Sequence, residues 1–85
     1  MEPWKLVLDE AVLHFFASSR LTERRQLLSA LEQLRSDPQR EAHYVSKDAA
    51  GRDLSVIAIR PFLITYWLDM LIREIRIINI ERVRF

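Results

Sequence analysis

The stretch from Leu54 to Ile80 constrains this chain most. It holds three apolar runs rich in β-branched residues, contains no glycine, and is interrupted only at Arg60-Pro61 and Asp69-Met70. Runs this short, with so little chain between them, pair as neighbours in an antiparallel meander. Leu54-Ser55-Val56-Ile57-Ala58-Ile59 is largely apolar on both faces, as a central strand requires, and Pro61 forces its end. Phe62 to Leu68 places Phe62, Ile64, Tyr66 and Leu68 on one face, with Leu63, Thr65 and Trp67 on the other. Ile72 to Ile80 returns as a last strand in which Glu74 and Arg76 alternate with Ile75 and Ile77, so one of its faces is partly solvated.

The first half has a different period. Trp4-Lys5-Leu6-Val7-Leu8 reads as a short strand, and Asp9 is placed to cap a helix over Glu10 to Ser18 whose apolar stripe is Val12, Leu13, Phe15 and Phe16. Thr22 is the expected N-cap of a second helix carrying Leu27, Leu28, Leu31 and Leu34, which Asp37-Pro38 ends. Residues 37 to 52 form a polar connection holding the only glycine, Gly51. The expected architecture is α+β, in the order β-α-α-β-β-β. A helical hairpin packs on one face of a mainly antiparallel four-stranded sheet, with Leu27, Leu31, Leu34, Ile64 and Tyr66 in the core. With 85 residues, this is one domain over 1–85 with one core and no separate substrate domain.

Thirteen Lys and Arg against 12 Asp and Glu give a net charge of +1, so no whole-protein field draws the chain to phosphates, and any nucleic-acid contact must come from a local patch. Cysteine is absent, which removes disulfides, thiolate metal sites and a thiol nucleophile. No glycine-rich phosphate loop, nucleophile elbow or ligand-spaced His/Cys cluster is present, so neither a cofactor nor a metal is expected. Met1-Glu2-Pro3-Trp4 is unlike a signal peptide, and Phe62 to Leu68 is too short to span a bilayer. A cytoplasmic protein without membrane contact is expected.

Two polar groups stand out as candidate chemistry. His43, Tyr44, Lys47 and Arg52 bring two proton carriers and two cations within ten positions, a set able to assist attack of a 2′-hydroxyl on phosphate without a metal; a merely solvated loop has the same composition. Arg60, Arg73, Arg76, Arg82 and Arg84 form a second basic group, as well suited to guarding strand edges as to binding phosphate. Trp4, Tyr66 and Trp67 could stack on bases, but aromatic residues in the strands of a small domain are core more often than not. His14, within an apolar helix, reads as a packing or surface residue. Because the strands entered by Arg52 and left by Arg82 run the same way, these two cations converge only if a loop or tail folds back; otherwise Arg82 and Arg84 join Arg60 at the far end.

In their order along the chain, Trp4-Lys5-Leu6-Val7-Leu8-Asp9, Leu31-Glu32-Gln33-Leu34-Arg35-Ser36-Asp37-Pro38, Gly51-Arg52-Asp53-Leu54, Arg60-Pro61-Phe62-Leu63-Ile64-Thr65-Tyr66 and Arg73-Glu74-Ile75-Arg76-Ile77-Ile78-Asn79-Ile80 resemble the RelE/ParE toxin superfamily over nearly the whole chain. The resemblance implies the toxin of a bacterial type II toxin-antitoxin system, held inactive by a cognate antitoxin that wraps the helical hairpin and sheet. RelE-like members are messenger RNA endonucleases acting on the ribosome; ParE-like members poison DNA gyrase; a degenerate, non-toxic, antitoxin-binding member is a third expectation. The nuclease pattern implies Lys or Arg along the second strand and an Arg after the aromatic residue opening the third. Here no Lys lies between Leu54 and Ile59, and Leu63 follows Phe62. The catalytic set expected is Arg52, Arg82, Lys47, His43 and Tyr44, with Arg60 and Arg84 meeting the target.

Overall fold

The structure is a computed structural model that describes residues 3–83. Seven elements follow one another: β1 (Lys5–Leu8), α1 (Glu10–Ser18), α2 (Leu21–Ser36), β2 (Tyr44–Lys47), β3 (Asp53–Ile59), β4 (Phe62–Asp69) and β5 (Glu74–Arg82). The strands form a single sheet in the order β1-β5-β4-β3-β2, antiparallel throughout except for the parallel pair β1–β5. The meander and the β-α-α start are as expected. The sheet has five strands rather than four.

The added strand, β2, lies within the polar connection. It pairs with β3 from Tyr44 opposite Val56 to Lys47 opposite Asp53, and all four of its residues are exposed. An edge strand with neither face buried carries no alternation, so nothing in its composition marks it. The turn between β2 and β3 is built by Asp48. Its Oδ1 accepts the backbone N–H groups of Ala50 and Arg52, both at 2.9 Å, and Gly51 supplies the left-handed residue with φ of 80°.

The core lies between the helices and one face of the sheet. Val12, Leu27, Ala30, Leu31 and Leu34 pack against Ile57, Phe62, Ile64, Tyr66, Ile75, Ile77 and Ile80. Leu13 and Leu28 belong to the expected stripes but are about half exposed, at 52% and 50%. With only two layers, each helix has a single covered side. The second helix begins at Leu21 with Arg20 at its N-cap and no side-chain cap, so Thr22 falls inside the first turn instead of capping it. Arg24 joins the helices: its Nη2 donates to the Ala17 carbonyl at 2.9 Å, and its Nε adds a second donor at 3.0 Å to the Phe16 carbonyl, which also accepts the Ser19 N–H, at the end of α1. The last strand starts at Glu74, two residues later than expected, because the carboxylate of Asp69 accepts the Leu71 N–H at 3.2 Å and Arg73 takes a φ of 53°. Among the described residues no helix is long and apolar enough to cross a membrane.

Candidate functional site on the open sheet face

Because alternate residues of a strand point to opposite faces, burying Phe62, Ile64 and Tyr66 against the helices turns Leu63, Thr65 and Trp67 outward. No described helix covers that second face. The register assembles it in rows. Val7, Arg76 and Trp67 lie side by side across β1, β5 and β4, and the next row runs Tyr44, Val56, Thr65 and Asn79 across β2 to β5. A shift in register at Thr65/Tyr66 keeps Ile77 and Ile80 on the core side and Arg76 and Asn79 on the open side.

The most structured part of this face is centred on Trp67. The guanidinium carbon of Arg52 lies 4.7 Å from the centroid of its ring, and that of Arg76 lies 5.6 Å away. Both are within cation–π range. Arg52 is aimed by Asp48, whose Oδ2 accepts its Nε at 2.7 Å, while Arg76 donates from Nη2 to Glu74 Oε1 at 3.0 Å. The hydrogen bonds from the backbone and side chain of Arg52 hold the Asp48 carboxyl below the usual carboxylate range. Arg76 Nε is buried and donates to nothing among the described residues. Two guanidiniums gathered against one aromatic ring suit an anionic ligand such as a phosphate, whose oxygens would meet the forked donors.

Of the residues expected to act on or meet the target, Arg52 and Tyr44 reach this face. Tyr44 is 55% exposed and lies one row along and two strands across from Trp67. His43 is engaged in the fold: its Nδ1 accepts the Ala58 N–H at 3.1 Å and its own N–H donates to Val56, fastening the start of β2 to β3. Lys47 pairs with Asp53, and both share the parity of Ser55 and Tyr66, which is the helix side. Arg82 lies at the other end of the sheet, opposite Phe62 on the helix side, paired with Glu23 and with its guanidinium carbon 5.6 Å from the Phe15 ring centroid. The fold-back that would join Arg52 to Arg82 does not occur within the described residues. Arg60 is exposed at the β3–β4 turn, near that end, and Arg84 lies outside the described residues.

Trp67 and Arg76 belong to the site although neither stood in the expected catalytic and target-meeting set; the sequence offered Arg76 only within the second basic group and Trp67 only as an aromatic that stacks or fills a core. The signal was parity: Trp67 alternates out of phase with Phe62, Ile64 and Tyr66, and Arg76 is out of phase with Ile75 and Ile77.

No family model and no curated protein matches the sequence. Solved structures do match. A chain of the archaeal RelE–RelB complex from Pyrococcus horikoshii OT3 aligns with a TM-score of 0.71 at 13% identity, over 95% of this chain and 96% of that one. The intact E. coli RelBE toxin-antitoxin complex aligns with a TM-score of 0.70 at 21% identity, over 96% and 99%. The isolated E. coli RelE toxin gives the same score and identity over 96% and 86%. The chain has the RelE toxin fold.

On this RelE fold the cations are distributed differently from what the resemblance implied. Leu63, where an Arg was implied, stands in a row with Ala58 and Glu81, and β3 presents no Lys to the open face. The guanidiniums of the face come instead from Arg52, just before β3, and Arg76 in β5, around Trp67.

Proposed function

We propose that the chain is the toxin component of a toxin-antitoxin system and acts on RNA at its open sheet face as a metal-independent endoribonuclease. The observation that carries this reading is the Arg52–Trp67–Arg76 cluster on the open face of a RelE fold. Arg52 and Arg76 hold the scissile phosphate and stabilise the charge that builds as the 2′-oxygen, giving up its proton, bonds phosphorus and the bond to the 5′-oxygen breaks, leaving a 2′,3′-cyclic phosphate and a 5′-hydroxyl that takes up a proton. Trp67 holds the two guanidiniums together through cation–π contact. The exposed phenol of Tyr44 is the nearest proton carrier identified in the sequence that shares this face.

The partner is an antitoxin. Leu13, Leu21 and Leu28 are 52%, 61% and 50% exposed along the helical hairpin, an apolar surface fit for an amphipathic segment. The RelE structures of Pyrococcus horikoshii and E. coli described above include complexes with RelB.

A second reading has its own observation. The absence of Lys from β3 and the presence of Leu63 in β4 favour a ParE-like toxin that binds DNA gyrase without catalysis. Co-expression with the product of the neighbouring gene tests the shared part of both readings: growth arrested by the chain alone should be restored by the pair, and the two should co-purify. A chain that is harmless alone and binds no such product removes both.

A further inference from the structure

Arg52 stands just outside β3, in a turn where a long side chain would ordinarily sample many rotamers. Its position over Trp67 therefore has a cause, and among the described residues the carboxylate bonded to it is that of Asp48. Asp48 does two separable things. Through Oδ1 it accepts the N–H groups of Ala50 and Arg52, at 2.9 Å each, and shapes the turn; through Oδ2 it accepts Arg52 Nε at 2.7 Å and directs the guanidinium. The Asp48 N–H in turn donates to the Arg52 carbonyl at 3.0 Å, and Gly51 N–H to the Asp48 carbonyl at 3.0 Å, so the two residues are locked through backbone and side chain together. The Asp48 side chain is only 18% exposed, against 52% for Arg52, so the anchor is sheltered while the cation it holds remains presented.

We infer that Asp48 is a positioning residue that clamps the Arg52 guanidinium onto the Trp67 ring, so that the open face meets its RNA with a preformed rather than a mobile cation. The inference rests on the reading of that face as an RNA site. A charge fixed before binding avoids the entropy of ordering a long side chain during binding. Simple electrostatics and positioning make opposite forecasts here. Removing an acidic charge from an RNA-binding face should tighten binding to a polyanion; removing a clamp should weaken it.

Asp48→Asn separates the two roles, because the amide oxygen still accepts the two turn N–H groups while the amide nitrogen cannot accept Arg52 Nε. The protein would carry Trp4→Phe so that Trp67 alone reports. Acrylamide quenching of Trp67 and affinity for a single-stranded RNA oligonucleotide would be compared with the Asp48 parent, with thermal unfolding confirming that each variant folds. Asp48→Asn is expected to raise the quenching constant and to weaken RNA binding about three- to tenfold, close to the loss from Arg52→Ala. Unchanged quenching in a folded Asp48→Asn overturns the clamp, and so does RNA binding that tightens. Increased quenching in a protein whose parent binds no RNA establishes the clamp and instead removes the RNA reading. Should Asp48→Asn fail to fold, Arg52→Lys, which keeps the charge and Asp48 but loses the planar fork, must raise the quenching constant; if it does not, the clamp is overturned.

Discussion

The guanidinium carbon of Arg52 lies 4.7 Å from the ring centroid of Trp67, although the two residues are fifteen positions apart and belong to different strand regions. Arg76 approaches the same ring from β5. This gathers two cations and an aromatic plane on the one sheet face that the helices leave open.

If these groups stabilise a phosphorane-like transition state, removing them should reduce turnover far more than it reduces stability. Arg52→Ala/Arg76→Ala is expected to lower RNA cleavage about 100-fold or more, because one preorganised electrostatic donor alone contributes on that scale. Cleavage of a labelled oligonucleotide, with thermal unfolding as control, gives the measurement. Full activity in the folded double variant removes the site. Arg82→Ala should leave cleavage nearly unchanged, since Arg82 is occupied with Glu23 and Phe15 at the other end of the sheet.

Leu31 is 2% exposed in the core between α2 and the sheet. Leu31→Ala should destabilise the fold by about 2–5 kcal/mol, through lost burial and the cavity left behind. Urea unfolding measures it; a loss below about 1 kcal/mol would mean that α2 does not pack as described.

Arg24 donates to the Phe16 and Ala17 carbonyls at the end of α1. Its replacement by Ala should cost about 1–2 kcal/mol, with little recovery in Arg24→Lys, which lacks the forked donors. The check is again urea unfolding, and stability equal to the parent's would show that solvent serves those carbonyls as well.

Asp48 titrates below its ordinary value of 3.8 because the backbone and side chain of Arg52 stabilise its charged form. A carboxyl depressed in the folded state contributes stability that is present above pH 3.8 and fades as pH falls below that value through the folded one. The β2–β3 turn should therefore loosen at the acid end, with Trp67 becoming more accessible to acrylamide, while Asp48→Asn shows no such acid step. An acid step that persists in Asp48→Asn would assign it to another group.

The parts of the fold that bury one face were legible in the sequence. Alternation in Phe62, Ile64 and Tyr66 marked β4 and its core side, and the helical recurrence of Leu27, Leu31 and Leu34 marked α2. The strand β2 was hidden because Tyr44 to Lys47 are exposed on both faces, so no pattern distinguishes them from a loop. Arg52 and Tyr44 could be suspected from their chemistry alone. Their company could not, because which side chains share a row depends on register: Trp67 opposite Arg76 and Tyr44 opposite Val56 are pairings made across turns, and turn length decides them. The same geometry parts Arg52 from Arg82, since β3 and β5 run in the same direction on either side of β4.

Growth arrest on inducing the chain without its partner, followed as separate rates of translation and DNA replication, decides what the open face acts on. The expected result is early arrest of translation with fragmented messenger RNA, abolished by Arg52→Ala/Arg76→Ala and reversed by the neighbouring gene product. Early arrest of replication with DNA breaks while messenger RNA stays intact would contradict it.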